Sequence, residues 1–145
     1  IVTCTTPLNA DNVAIHQITA QETQNGVDLS QAIEALLEAL TGKVMLAHFC
    51  KIEQQFLQAA CMQIYGIAPV FPIIDTLFIA KHRLDKRQAA YDSSELRLVN
   101  LREQFKLPAH YSHNALNDAI ATGELLLAEL AHYHEPKIPL KKLLR

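Results

Sequence analysis

A chain of 145 residues is the size of one ordinary domain, long enough to bury about two-thirds of the surface its unfolded form exposes. Half of the residues are hydrophobic and 19% are charged, which excludes intrinsic disorder and fibrous repeats. Thirteen basic against fifteen acidic residues leave a formal charge of -2, which excludes a broad basic surface for duplex nucleic acid but not a small site for a strand end.

In chain order, "IVTCT" at Ile1 reads as strand, and as the middle of one, so residues upstream of Ile1 are expected in the natural protein. Asp11 stands alone in an expected loop. Leu29, Ile33, Leu36, Leu37 and Leu40 share one helical face, with Asp28 and Gln31 at capping-box spacing and Gly42 just past the end. "KVMLAH", Lys43 to His48, is a short apolar run of the kind covered on both faces as a strand. A helix follows from Lys51 to Tyr65 through Ile52, Phe56, Ala59, Ala60 and Ile64, stopped at Gly66.

"PVFPIIDT" predicts a short strand limited by Pro69 and Pro72, with Asp75 placed to cap a helix from Thr76 to about Leu84. "DKRQAAYDSS" predicts a loop, and Ser93 or Ser94 the cap of a helix carrying Leu98, Leu101 and Phe105, stopped by Pro108. Asn114 caps the last long helix, whose stripe of Leu116, Ala119, Ile120, Gly123, Leu127 and Leu130 has core-facing spacing. The tail 135–145 is basic, proline-broken and expected outside the core. One α/β domain over 1–145 follows, with a sheet thin for so many helices. No run has the roughly 18 apolar residues of a membrane span, so no membrane association is expected. Cys4, Cys50 and Cys61, with no CxxC pair, suit reduced thiols in a cytoplasmic protein.

Two segments share a chemical pattern. "HFCKIE" sets His48 five residues before Glu53, and "HNALND" sets His113 five residues before Asp118. Each places an acid in the first turn of a helix, where it complements the helix dipole and needs no further role. The same carboxylates, converging at one end of a sheet, would offer a divalent cation the oxygen ligands it prefers, with a histidine at hand as a general base. His132 and His134 lack partners at zinc-like spacing and read as surface residues. The basic groups of "KHRLDKR", Lys81 to Arg87, read as a solvated helix end.

The segment "HNALNDAIATGELLLAEL" resembles the third motif of the DnaQ-like DEDDh family of 3′–5′ exonucleases, and "LAHFCKIEQQFL" resembles its second. "PIIDTLFIAKHRL", "ELRLVNLREQFKLP" and the upstream "IHQITAQE" are similar to the joining elements, in family order. The resemblance implies a ribonuclease H-like three-layer α/β fold with a mixed sheet, and hydrolysis that releases nucleoside monophosphates from a single-stranded DNA or RNA 3′ end. It implies Asp118 as a metal ligand, His113 as the catalytic base, and two Mg²⁺ or Mn²⁺ ions in the complete site. Glu53 falls where the family has an aspartate ligand, and its extra methylene shifts the carboxylate. His48 and Phe49 match the substrate-binding positions of the second motif, with Phe49 in place of the usual asparagine.

The family's first motif, an aspartate and a glutamate two apart on the first strand, has no match before His16. The expectation is that the first strands and that motif precede Ile1, leaving this fragment inactive. The alternative is a degenerate, non-catalytic nucleic-acid-binding or structural module of a larger protein. A homodimer or a fused domain would cover the resulting sheet edge.

Overall fold

The computed structural model describes residues 1–86, 88, 90–132 and 139–144, which fall into two compact units. Arg87, Ala89, the stretch 133–138 with His134, and Arg145 lie outside the described residues. One unit comprises Ile1–Lys43 and Gln54–Val70, the other Val44–Glu53 and Phe71–Arg145.

In the first unit, "IVTCT" does not form the expected strand. Val2 makes a single parallel bridge to Val27, held by Thr3 N–H to Val27 O at 2.8 Å and Val27 N–H to Ile1 O at 3.0 Å. Asp11 lies in a helix, not in a loop: Asn9 accepts from Asp11 N–H and caps α1 (Ala10–His16), with Asp11 in its first turn. Thr19 and Glu22 form a reciprocal capping box that starts α2 (Ala20–Gln24). Helix α3 (Leu29–Leu40) starts at Asp28 as expected, although Asp28 accepts from Ser30 N–H at 2.9 Å and no box with Gln31 forms. Ile33 is its buried residue.

Gly26 fixes how closely the N-terminal residues approach. A Cβ there would lie 2.7 Å from Thr3 N and 2.7 Å from Val2 C, both backbone atoms that cannot swing aside. Gly26→Ala is therefore expected to detach residues 1–3 at a cost of about 1–3 kcal/mol. Hydrogen exchange at the Thr3 and Val27 amides checks this; unchanged protection at both would contradict it.

Strand β1 (Met45–Ala47) pairs in parallel with β2 (Ile73–Asp75), in register Met45–Ile73, Leu46–Ile74 and Ala47–Asp75. Ile73 and Asp75 are wholly buried. Both strands lie inside the apolar runs that predicted them, and both are shorter because the turns consume the ends. The sheet is parallel rather than mixed: among the described residues the antiparallel contribution is one bridge, Ile74 to Leu144.

Helix α4 (Lys51–Tyr65) follows β1 and matches its predicted bounds, ending where Gly66 takes φ +70°. Its buried residues are Leu57, Ala60 and Cys61, whereas Ile52 and Phe56, expected inside, are 61% and 63% exposed. Helix α5 (Thr76–Lys86) runs two residues past Leu84. Asp92, not Ser93 or Ser94, supplies the next cap, in a box with Glu95 that opens a 3₁₀ turn (Ser93–Leu96). Helix α6 (Leu98–Gln104) then starts at Arg97 without a side-chain cap, and Phe105 falls just beyond its end.

Helix α7 (Ala115–Ala131) is capped by Asn114, whose side chain accepts from Asn117 N–H at 3.1 Å. Most of the expected stripe faces outward, the exception being Leu130, which packs against Ile74, Ile79 and Leu143. Leu116, Ile120 and Leu127 are 69%, 54% and 69% exposed, while Ala121, Thr122, Leu125 and Glu129 are buried. At about 100° per residue, Asp118, Ala121, Leu125 and Glu129 lie opposite the apolar stripe, so burying that side carries Asp118 inward. The core joins Ala80, Leu84, Leu96, Leu101 and Leu125, beside a cluster of Ile74, Ile79 and Leu143. The described part of the tail thus returns to the core instead of lying outside it, because Leu143 is buried and Leu144 bridges β2. No helix among the described residues is long and apolar enough to cross a membrane.

Candidate active-site cleft

Parallel pairing puts the C-terminal ends of β1 and β2 side by side, and Asp75 joins the turns that leave them. Its wholly buried carboxyl accepts from Phe49 N–H at 2.9 Å, Cys50 N–H at 3.1 Å and Leu77 N–H at 3.0 Å. The first two lie in the turn into α4, which carries Glu53, and the third lies at the start of α5. Phe49 sits at φ +64°, a conformation disfavoured for a residue with a side chain and stabilised here by its bond to Asp75.

His48 is fixed at both ring nitrogens. Nε2 lies 3.0 Å from Leu96 O, which can only accept, so Nε2 carries the proton and Nδ1 accepts from the Thr76 hydroxyl at 2.8 Å. Burial pushes its pKa below the usual histidine value, outweighing the opposing pull of Asp75. A neutral His48 thus ties β1 to α5 and to the 3₁₀ turn, with neither nitrogen left over for a ligand.

The cleft itself, about 630 Å³, is lined by His48, Glu53, Arg97, His110, His113 and Asp118 together with apolar groups from β1 and α7. It therefore unites four of the five residues singled out in the sequence. The fifth, Phe49, is not among its lining residues; the side chain is 42% exposed and its contribution is the backbone N–H.

Asp118 is engaged through both oxygens. Oδ2 accepts from His113 N–H at 3.0 Å and Oδ1 lies 3.3 Å from His110 Nε2. His113 is at φ +68°, so the last residue before the capped helix is folded back against the acid five positions on. Thr122 Oγ donates to Asp118 O at 2.7 Å on the same turn. Sequence reasoning missed His110 and Arg97. His110 stands eight residues before Asp118, a spacing with no local signature, and Arg97 is brought to the cleft only by the turn from the 3₁₀ segment into α6.

The donor set can be tested against a divalent cation. Glu53 is exposed at the cleft and Asp118 has a side chain 36% exposed, which gives hard oxygen donors of the right kind. Among the described residues no three His, Cys, Asp or Glu side chains come together as a complete ligand group. Carboxylate oxygens are the donor type that hard divalent cations take, with water or substrate oxygens in the remaining positions.

The exonuclease family model matches residues 2–126. DNA polymerase III PolC-type of Thermotoga petrophila is 27% identical over 110 residues, 76% of this chain and 8% of that protein. The corresponding protein of Thermotoga maritima matches at the same identity and coverage. The chain thus spans a small fraction of the length of these relatives. A model that takes in β1, α4, β2, the cleft and most of α7 covers well over half of the residues, and on that ground the chain belongs to the exonuclease family, of DnaQ-like type.

Proposed function

We propose that residues 1–145 are one DEDDh-type exonuclease domain of ribonuclease H-like fold, part of a protein that hydrolyses DNA or RNA from the 3′ end. The single observation that carries this reading is the meeting of Asp118 and His113 of one segment with Glu53 of another in one cleft.

In this reading Asp118 and Glu53 hold the divalent cation, which when bound stabilises charge developing on the phosphate oxygens. His113 takes the proton from the attacking water as its oxygen bonds to phosphorus; the bond from phosphorus to the 3′ oxygen of the preceding nucleotide breaks, freeing a nucleoside monophosphate. Arg97, on the rim, pairs with a backbone phosphate. His48 shapes the floor through its bonds to Thr76 and Leu96, and Phe49 stacks on a base from outside the cleft.

Two carboxylates are half the acid complement of such a site, so the reading is tested on an extended chain, the natural protein that carries these residues. The extended chain should release monophosphates from a single-stranded oligonucleotide with Mg²⁺ or Mn²⁺. There His113→Ala is expected to lower kcat by roughly 10²–10⁴-fold. An extended, folded chain with no metal-dependent hydrolysis would instead support a non-catalytic nucleic-acid-binding module.

A further inference from the structure

The stretch 108–113 carries two of the three histidines of the cleft, His110 and His113, yet has no regular structure, and what holds it comes from α6. Arg102 is 3% exposed. Its Nη1 donates to Ala121 O of α7 at 2.7 Å, its Nη2 donates to Pro108 O at 2.8 Å, and Nη2 also lies 2.7 Å from Glu124 Oε2. One rigid guanidinium thus binds the root of the histidine loop and the helix turn that follows Asp118.

We propose that Arg102 is a positioning residue for the cleft: it sets the histidine loop against α7, so that His113 and His110 reach Asp118 without Asp118 itself having to hold the loop. The distances carry this. Asp118 is bonded to the loop at its far end, through His113 N–H and beside His110 Nε2. If those were the loop's tethers to α7, any ligand drawing on the Asp118 oxygens would release the loop as it bound. The Arg102 bridge holds the near end at Pro108 through a group that takes no part in the chemistry. A planar fork reaching two carbonyls on different segments is a geometry that a lysine ammonium on a flexible stem does not reproduce. The catalytic consequence rests on the hydrolytic reading above; the positioning itself does not.

The test uses residues 1–145 and amide hydrogen exchange, with Arg102→Lys, Arg102→Met and Glu124→Gln. In both Arg102 variants the His113 amide is expected to exchange at least tenfold faster than in the parent, relative to the slowest amides of α7, which report global opening. Glu124→Gln keeps both carbonyl bonds and should leave the His113 ratio unchanged. If Arg102→Lys restores parental protection, buried charge suffices and the bridging role is overturned; a His113 rate that moves only with the slowest amides overturns it as well. Should the Arg102 variants fail to fold, the parent chain serves: the His113 amide and the Arg102 guanidinium protons should open with one common urea dependence, and separate dependences would sink the proposal. In the extended, active chain Arg102→Lys should lower kcat at least tenfold with KM held. Loss of hydrolysis in the parent of that chain would bear on the function alone, since the exchange result is obtained without it.

Discussion

Asp75→Ala should remove roughly 3–6 kcal/mol of stability, a large share of the about 5–15 kcal/mol that holds such a domain together. The substitution leaves the amides of Phe49, Cys50 and Leu77 facing a void in a wholly buried place, and each buried donor without an acceptor costs about 1–3 kcal/mol. It also frees Phe49 from the positive φ that the bond to Asp75 offsets. Asp75→Asn separates the contributions. One oxygen remains as an acceptor, but the amide NH₂ now confronts a backbone N–H, so an intermediate loss is expected. Chemical denaturation followed by circular dichroism measures both, and a loss below about 1 kcal/mol for the alanine variant would show that the turns hold without the carboxyl. Because the turn into α4 presents Glu53, the asparagine variant should also loosen the cleft while leaving the fold intact.

Glu129 governs a second large effect, expressed through pH. It is 1% exposed, neither carboxyl oxygen has a hydrogen-bond partner among the described residues, and burial pushes its pKa up to about 8. Two charged groups act on it from the neighbouring elements: Arg83 of α5, which partly offsets the rise, and Asp75 of β2, which adds to it. The folded state therefore keeps this proton through a range where the unfolded chain, with its ordinary value of 4.5, has lost it. Stability is greatest below pH 4.5 as far as this group is concerned and falls as pH rises towards 8, by up to about 4 kcal/mol. Glu129→Gln removes the ionisation, so the difference in unfolding free energy between variant and parent should be flat below pH 4.5 and grow in the variant's favour up to pH 8. A difference that does not vary with pH would mean that Glu129 is ionised in the fold. His48, held neutral by burial, acts in the opposite direction below the usual histidine range and cancels in this comparison.

The sequence by itself determined the ends of three helices and the place of two strands, while the short helices α1 and α2 and the cap at Asp92 escaped it. Asp28, Asn114, Gly42 and Gly66 mark helix ends that the backbone must satisfy within a turn, and α3, α4 and α7 have the predicted ends to within a residue. The two strands followed from continuous apolar runs, and the pairing of a histidine with an acid five residues on marked the two segments that meet in the cleft. Only the tertiary structure decided which face each helix turned inward. Helix α7 has apolar residues on opposite sides, Leu116, Ile120 and Leu127 against Ala121 and Leu125, so periodicity could not choose between them; contact with α5 and α6 did, and it carried Asp118 inward. It decided likewise that Leu143 returns to Ile74 and Ile79, that Asp75 caps two turns at once, and that Arg102 and His110 meet the motif residues. Apart from the local bond from Leu77 to Asp75, these contacts join residues 8 to 69 positions apart, and neither propensity nor spacing extends that far, because such contacts are selected by the packing of the whole core.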